Sequence, residues 1–134
     1  MADHIVKAYD EELNHLAADV ARMGGLAEAE VSDALDTVTH RDMTLVQTVI
    51  ERDLKLDALD AEIERRTIRM IALRQPVAQD LRRTVAAMKI AQNLERIGDH
   101  ATNIAEIVHY EISGEELPTE RPKWDSLRQA GAQS

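Results

Sequence analysis

The chain has 134 residues, a length that one domain ordinarily fills, and 44% of it is hydrophobic, nearly all aliphatic or Ala. Aromatic residues make up 2% and Phe is absent, which argues against a β-sandwich or barrel and removes the stacking platforms that hold single-stranded nucleic acid. With 16 Lys and Arg against 25 Asp and Glu, the formal net charge is −9, a balance that repels phosphate backbones and anionic membranes and favours cations and basic protein surfaces.

The absence of Cys excludes disulfides and thiolate metal sites and fits a reducing compartment. The opening residues, MADHIVKAYDEEL, mix charges and lack the apolar run of a signal peptide. No stretch approaches the roughly 18 apolar residues of a membrane span. A cytoplasmic location is expected, with no membrane insertion and no nucleic-acid partner.

The first periodic segment runs from about Ile5 to Thr39. Leu13, Leu16, Val20 and Met23, then Leu26, Val31 and Leu35, recur at helical spacing. Gly24-Gly25 interrupts the pattern, but the register resumes without Pro or a polar turn cluster. The helix is expected to continue, with the glycines admitting a close neighbour. His40-Arg41-Asp42 is a short connector in which Asp42 suits an N-cap. The second segment spans about Met43 to Leu73, with Val46, Val49, Ile50, Ile68 and Ile71 on its apolar face. Gln75-Pro76 ends it, and Pro76 suits the first turn of the next helix. The third segment spans about Val77 to Glu111, with Leu94, Ile97, Ala101, Ile104 and Val108 as its main stripe, and Ser113-Gly114 stops it.

Short connectors make neighbouring helices antiparallel, so the expected fold is all-α: an up-down-up three-helix bundle over residues 1–114. Residues 115–134 carry two Pro and little periodicity and read as a flexible tail.

Two runs of acids carry the chemistry. On the second helix Asp53, Asp57, Asp60 and Glu64 stand at i, i+4, i+7 and i+11, within an arc of about 60°. No Lys or Arg lies three or four residues from any of them, whereas Lys55 can meet Glu51, and Arg65 and Arg66 can meet Glu62. On the third helix Glu95 and Asp99 are one turn apart. They lie off the main stripe, as surface or boundary positions, with Asn103 and Glu106 continuing the same side. Like charges at that spacing cost roughly 0.2–0.5 kcal/mol, and Gly98 between them costs about 1 kcal/mol relative to Ala. Two local costs at one spot imply a compensating gain, from a cation or a close-packed neighbour. If the two acidic faces meet, six or more oxygen donors converge, a set suited to hard cations. Nothing in the spacing distinguishes Fe, Mn, Mg, Ca or Zn.

Glu12-x-x-His15 and Glu106-x-x-His109 match the Glu-x-x-His of di-iron carboxylate bundles, although those use four helices. There is no P-loop, nucleophile–base constellation, GxSxG or zincin motif, and nothing points to an enzyme.

MGGLAEAEVSDAL (23–35), VIERDLKLDALDAEIE (49–64), IALRQPVAQDLR (71–82) and KIAQNLERIGDHATNIAE (89–106) together resemble the PhoU family of phosphate-transport accessory regulators. The resemblance covers about residues 4–122. It implies a bundle repeated in tandem in the family and present once here, with carboxylate motifs that bind metal in some members. Glu95 and Asp99 match the family's ERIGD motif, and Asp53, Asp57, Asp60 and Glu64 fall in its second acidic region. The implied role is negative regulation of phosphate uptake and phosphate-starvation signalling. The implied partners are the ATPase of the phosphate ABC transporter and a sensor histidine kinase. A metal-handling bundle, of iron-storage or di-iron oxidase type, and a purely structural helical module stand as alternatives. A single repeat leaves uncovered the surface that meets its twin. Leu81, Val85 and Met88, pointing away from the main stripe, make a homodimer the expected assembly.

Overall fold

The computed structural model describes residues 2–115, with side chains from Lys7 onward. It contains α1 (Ala2–His40), α2 (Met43–Arg74) and α3 (Ala78–Ser113), and no strand among the described residues. The interior is written in steps of three and four, with one step of seven on α3. On α1 the series is Tyr9, Leu13, Leu16, Asp19, Met23, Ala27, Glu30, Ala34 and Thr37. On α2 it is Val46, Val49, Asp53, Leu56, Leu59, Ile63, Thr67 and Met70. On α3 it is Thr84, Ala91, Glu95, Gly98, Thr102, Ala105 and Val108, with Ala101 beside it. A repeat near 3.5 keeps one seam of each long helix facing its neighbours.

The connectors work as capping chemistry dictates. Arg41 adopts φ 54°, and its N–H reaches the Thr37 carbonyl at 2.9 Å, closing α1. Asp42 caps α2, its Oδ1 accepting from the Thr44 N–H at 2.9 Å. At the other end Gln75 takes a left-handed conformation, φ 43°, and its N–H bonds the Ile71 carbonyl. Pro76 follows that cap and precedes the N-cap Val77, so it lies outside α3 rather than in its first turn. Gly114, at φ 73°, ends α3 with its N–H on the Tyr110 carbonyl at 2.8 Å.

Side-chain bonds fix the directions. Arg74–Glu12 at 3.1 Å and Arg66–Asp19 at 2.6 Å, together with Arg52–Asp33, run in opposite order along α1 and α2, which are antiparallel. Tyr9–Thr84 at 2.6 Å and Arg41–Glu111 at 2.9 Å run in the same order along α1 and α3, which are parallel. The Thr84 hydroxyl donates to the Asp80 carbonyl at 2.7 Å, so Tyr9 is the donor of its pair.

The apolar core falls into two parts. One gathers Tyr9, Leu13, Leu16, Met23, Ala27, Leu56, Leu59, Ile63, Met70 and Ala91. The other gathers Ala34, Val46, Val49, Ala101 and Ala105. On every helix the gap between them holds a carboxylate: Glu30 on α1, Asp53 on α2, Glu95 on α3.

Four expectations change. Gly24 and Gly25 do continue α1, but a Cβ at either would meet nothing within 4 Å, so neither admits a close neighbour. Leu35 and Ile68 are exposed, at 54% and 59%, and Ala34, Thr67 and Met70 take the interior instead. The α3 stripe is rotated: Ile97 is exposed and Leu94 and Ile104 are half-buried, while a row of small residues faces inward. Val85 and Met88 are half-buried and Leu81 alone of that patch is exposed, while the aliphatic residues most open on that helix are Ile107, Ile90 and Ile97. The physical reason is space. Three long helices can approach closely only where α3 offers Ala, Gly and Thr, and its larger aliphatics are left at the flanks. Residues 116–134, where the tail is expected, lie outside those described.

Because Gly25 is exposed, helical and crowded by nothing, Gly25→Ala should stabilise the fold by about 0.5–1 kcal/mol through the entropy of the unfolded chain. Urea unfolding reads this directly, and a lower midpoint in the variant would contradict it.

Candidate metal centre

Asp53 and Asp57 stand one turn apart on α2, and Asp99 comes from α3. Each offers a carboxylate oxygen, and these oxygens all lie within 4.8 Å of one another. Asp53 is 7% exposed, and the other two are half-buried. Gly98 makes the approach possible. A Cβ there would overlap Leu56 Cδ2 and stand 2.9 Å from both Asp53 Oδ1 and Glu30 Oε2. The helix accepts a glycine at this position because α1 and α2 bring carboxyl groups against its backbone. Of the two gains that sequence reasoning allowed, close packing is therefore present.

Glu30 was not among the residues singled out from sequence. It is fully buried, and neither carboxyl oxygen meets a hydrogen-bond donor among the described residues. Burial pushes its carboxyl up to about 9, with the charge of Asp53, a hydrogen bond to Asp53 and the charge of Asp57 acting in the same direction. The Arg52 charge opposes these; its guanidinium is engaged by Asp33. In the metal-free protein Glu30 therefore holds a proton at neutral pH and donates it toward Asp53.

The structure sorts the other acids. Glu95 is only 6% exposed, so it is an interior group and not the surface or boundary position expected of it. The reason is the rotation of α3, which turns its small-residue row and Glu95 inward together. Asp60 is half-buried and Glu64 exposed, one and two turns beyond Asp57; neither joins the converging trio, nor does Glu95.

The two Glu-x-x-His pairs sit at opposite ends of the bundle. Glu12 is held by Arg74 at 3.1 Å, and the exposed His15 contacts Arg66 through Nδ1 at 2.6 Å. His109 lies near the end of α3, where its Nδ1 is 3.3 Å from Ser113 Oγ. A di-iron arrangement needs both pairs at one point, and this topology separates them. Beside the first pair, α1 and α2 enclose a groove of about 490 Å³ lined by Glu11, Glu12, His15, Arg66, Arg69 and Arg74. Arg66 also bonds Asp19 and Glu62, at 2.6 and 3.1 Å.

A signal for Glu30 did exist in the sequence. It occupies an interior position of the α1 repeat, between Ala27 and Ala34. Without knowing that α1 packs against both acidic helices at that level, it reads as one more acid in an acidic chain.

Fold and site together define a class: an all-α bundle that interrupts its own core with carboxylates drawn from every helix. The PhoU domain matches residues 20–108, and the chain belongs to the PhoU family. Among similar proteins is the phosphate-specific transport system accessory protein PhoU homolog of Caulobacter vibrioides, 55% identical over 104 residues, which are 78% of this chain and 45% of that protein. Those of Zymomonas mobilis and Rhizobium meliloti are 46% and 41% identical, covering 78% and 86% of this chain and 44% and 48% of theirs. The chain spans about half the length of the curated relatives it matches.

The raised Glu30 carboxyl sets a pH dependence. Between its ordinary 4.5 and about 9, the folded state keeps a proton that the unfolded state has lost, so stability falls as pH rises through that window. Glu30→Gln keeps the shape and removes the titration. With chelator present, the variant should be more stable than wild type at pH 8, and the gap should close toward pH 5. Parallel stability–pH curves for the two proteins, measured by urea unfolding, would show that Glu30 does not carry this effect.

Proposed function

We propose that this chain is a metal-binding, non-enzymatic regulatory module of phosphate uptake. The observation that carries the reading is the convergence of Asp53, Asp57 and Asp99 against the bare backbone at Gly98. The residues present fit a cation. The donors are all carboxylate oxygens, the hard ligands that Mg, Ca, Mn and Fe(II) take, and no thiol is available to favour a softer ion. A bound cation would supply the positive charge that allows several carboxylates to ionise side by side in a buried place. Asp53, Asp57 and Asp99 hold it, and Glu95 lies one turn before Asp99 on the same helix.

The regulatory half of the reading rests on the relatives, which are named as accessory proteins of the phosphate-specific transport system. On this reading the module restrains phosphate-starvation signalling by contacting the transporter's cytoplasmic ATPase and a sensor histidine kinase. The exposed Ile90 and Ile97 on α3 supply an apolar surface for a second bundle, in a homodimer or in a longer chain. Among the described residues no helix is long and apolar enough to cross a membrane.

Mn²⁺ should raise the melting temperature. Binding to the folded state alone stabilises it by roughly 2.7 kcal/mol at a hundredfold excess over Kd. Asp53→Asn combined with Asp99→Asn should abolish the gain and leave the metal-free protein as stable or slightly more so, because like-charge repulsion is relieved. An equal shift in both proteins would place the metal elsewhere. Co-purification with the transporter ATPase, tested for wild type and the double variant, examines the regulatory half. Failure of the wild type to bind would remove it.

A further inference from the structure

We infer that Glu30 is a ligand of the metal centre, contributed by α1, so that the site is closed by all three helices and not by the α2 and α3 acidic motifs alone. The inference rests on the metal-binding reading above and adds to it a residue that neither acidic stripe contains.

Three observations carry it. Glu30 is fully buried in the middle of the bundle, where a carboxyl group is kept only when something answers it. Neither of its oxygens meets a hydrogen-bond donor among the described residues, and the group it hydrogen-bonds, Asp53, is itself a member of the carboxylate trio. Its Oε2 converges with Asp53 Oδ1 on one point at Gly98, each 2.9 Å from the position a Cβ would occupy there. Asp53 in turn belongs to the trio with Asp57 and Asp99. Glu30 is thus aimed at the inner end of a carboxylate group whose outer end is half-open to solvent. The one cationic side chain acting on it, Arg52, is engaged by Asp33 on the flank of the bundle. The ligand that fits is a hard divalent cation, which takes up to six or more oxygens from mixed sources.

A role confined to positioning Asp53 predicts something different. As a neutral acid Glu30 would need only to donate a hydrogen bond, and Gln can donate in its place. A ligand needs an anionic oxygen, which Gln lacks. Mn²⁺ binding to the full chain by calorimetry, with folding of each variant checked by circular dichroism, separates the two roles. Glu30→Gln should weaken Mn²⁺ binding at least tenfold, as Asp99→Asn should, while both melt cooperatively without metal. Wild-type affinity in Glu30→Gln, with loss in Asp99→Asn, would overturn the ligand role of Glu30 and leave the metal centre standing. No Mn²⁺ binding by wild type would overturn the metal reading itself, and this inference with it. Anomalous diffraction from wild-type crystals grown with Mn²⁺ needs no variant. The ion is expected about 2.0–2.6 Å from a Glu30 oxygen, and an ion held by the three aspartates with Glu30 outside its shell refutes the assignment.

Discussion

The structure depends on one constraint: carboxyl groups from three helices must share a small volume at the middle of the bundle. Burying them is expensive unless charge is removed or answered. The chain meets this in two visible ways. Glu30 keeps its proton, which removes one negative charge from beside Asp53. Gly98 withdraws its side chain, which lets Glu30 and Asp53 reach the α3 backbone without displacing Leu56. The rest of the architecture follows. The apolar core is cut into two parts at this level, and α3 turns small residues inward so that it can sit close to both neighbours.

Three arginines line the α1–α2 flank. Arg74, Arg66 and Arg52 each cross to an acid on α1. Pairs with this degree of exposure contribute on the order of 0.2–1 kcal/mol. Their greater effect is on register: an antiparallel pair of long helices slipped by one heptad would break all three at once. That register is what brings Glu30 level with Asp53.

Much of the fold was legible in the sequence. Helix number, order and ends follow from periodicity, from the Asp42 cap and from Gly114, because those signals are local. The site was legible only in part. Asp53 and Asp57 stand out because they lie at helical spacing with no Lys or Arg a turn away, and Asp99 because it shares a turn with Glu95 across a glycine, even with Arg96 three residues before it. Glu64 was grouped with them by the same logic, yet it lies exposed, since a helix shows one face at one level and two turns carry a side chain along the bundle and away from the site. Glu95 was placed outside and is inside. The inward side of α3 is made of Ala, Gly and Thr, which carry a weak hydrophobic signal, while Ile97 and Ile90 carry a strong one and sit at the flank. Glu30 was invisible because its meaning lies in contacts with residues more than twenty positions away.

The composition of α3 has a mechanical consequence. A helix that fills its interior with Ala, Gly and Thr is seated by shape and polar contact more than by apolar area, since each such residue removes little surface from water. Its larger aliphatics, Ile90 and Ile97, stand on average about a third of a turn round from Glu95 and Gly98 on the same cylinder. The buried carboxyl group and the outward apolar flank are therefore parts of one rigid rod some 10 Å across. A rotation of that rod by a few degrees moves both together, as the two hands of one axle.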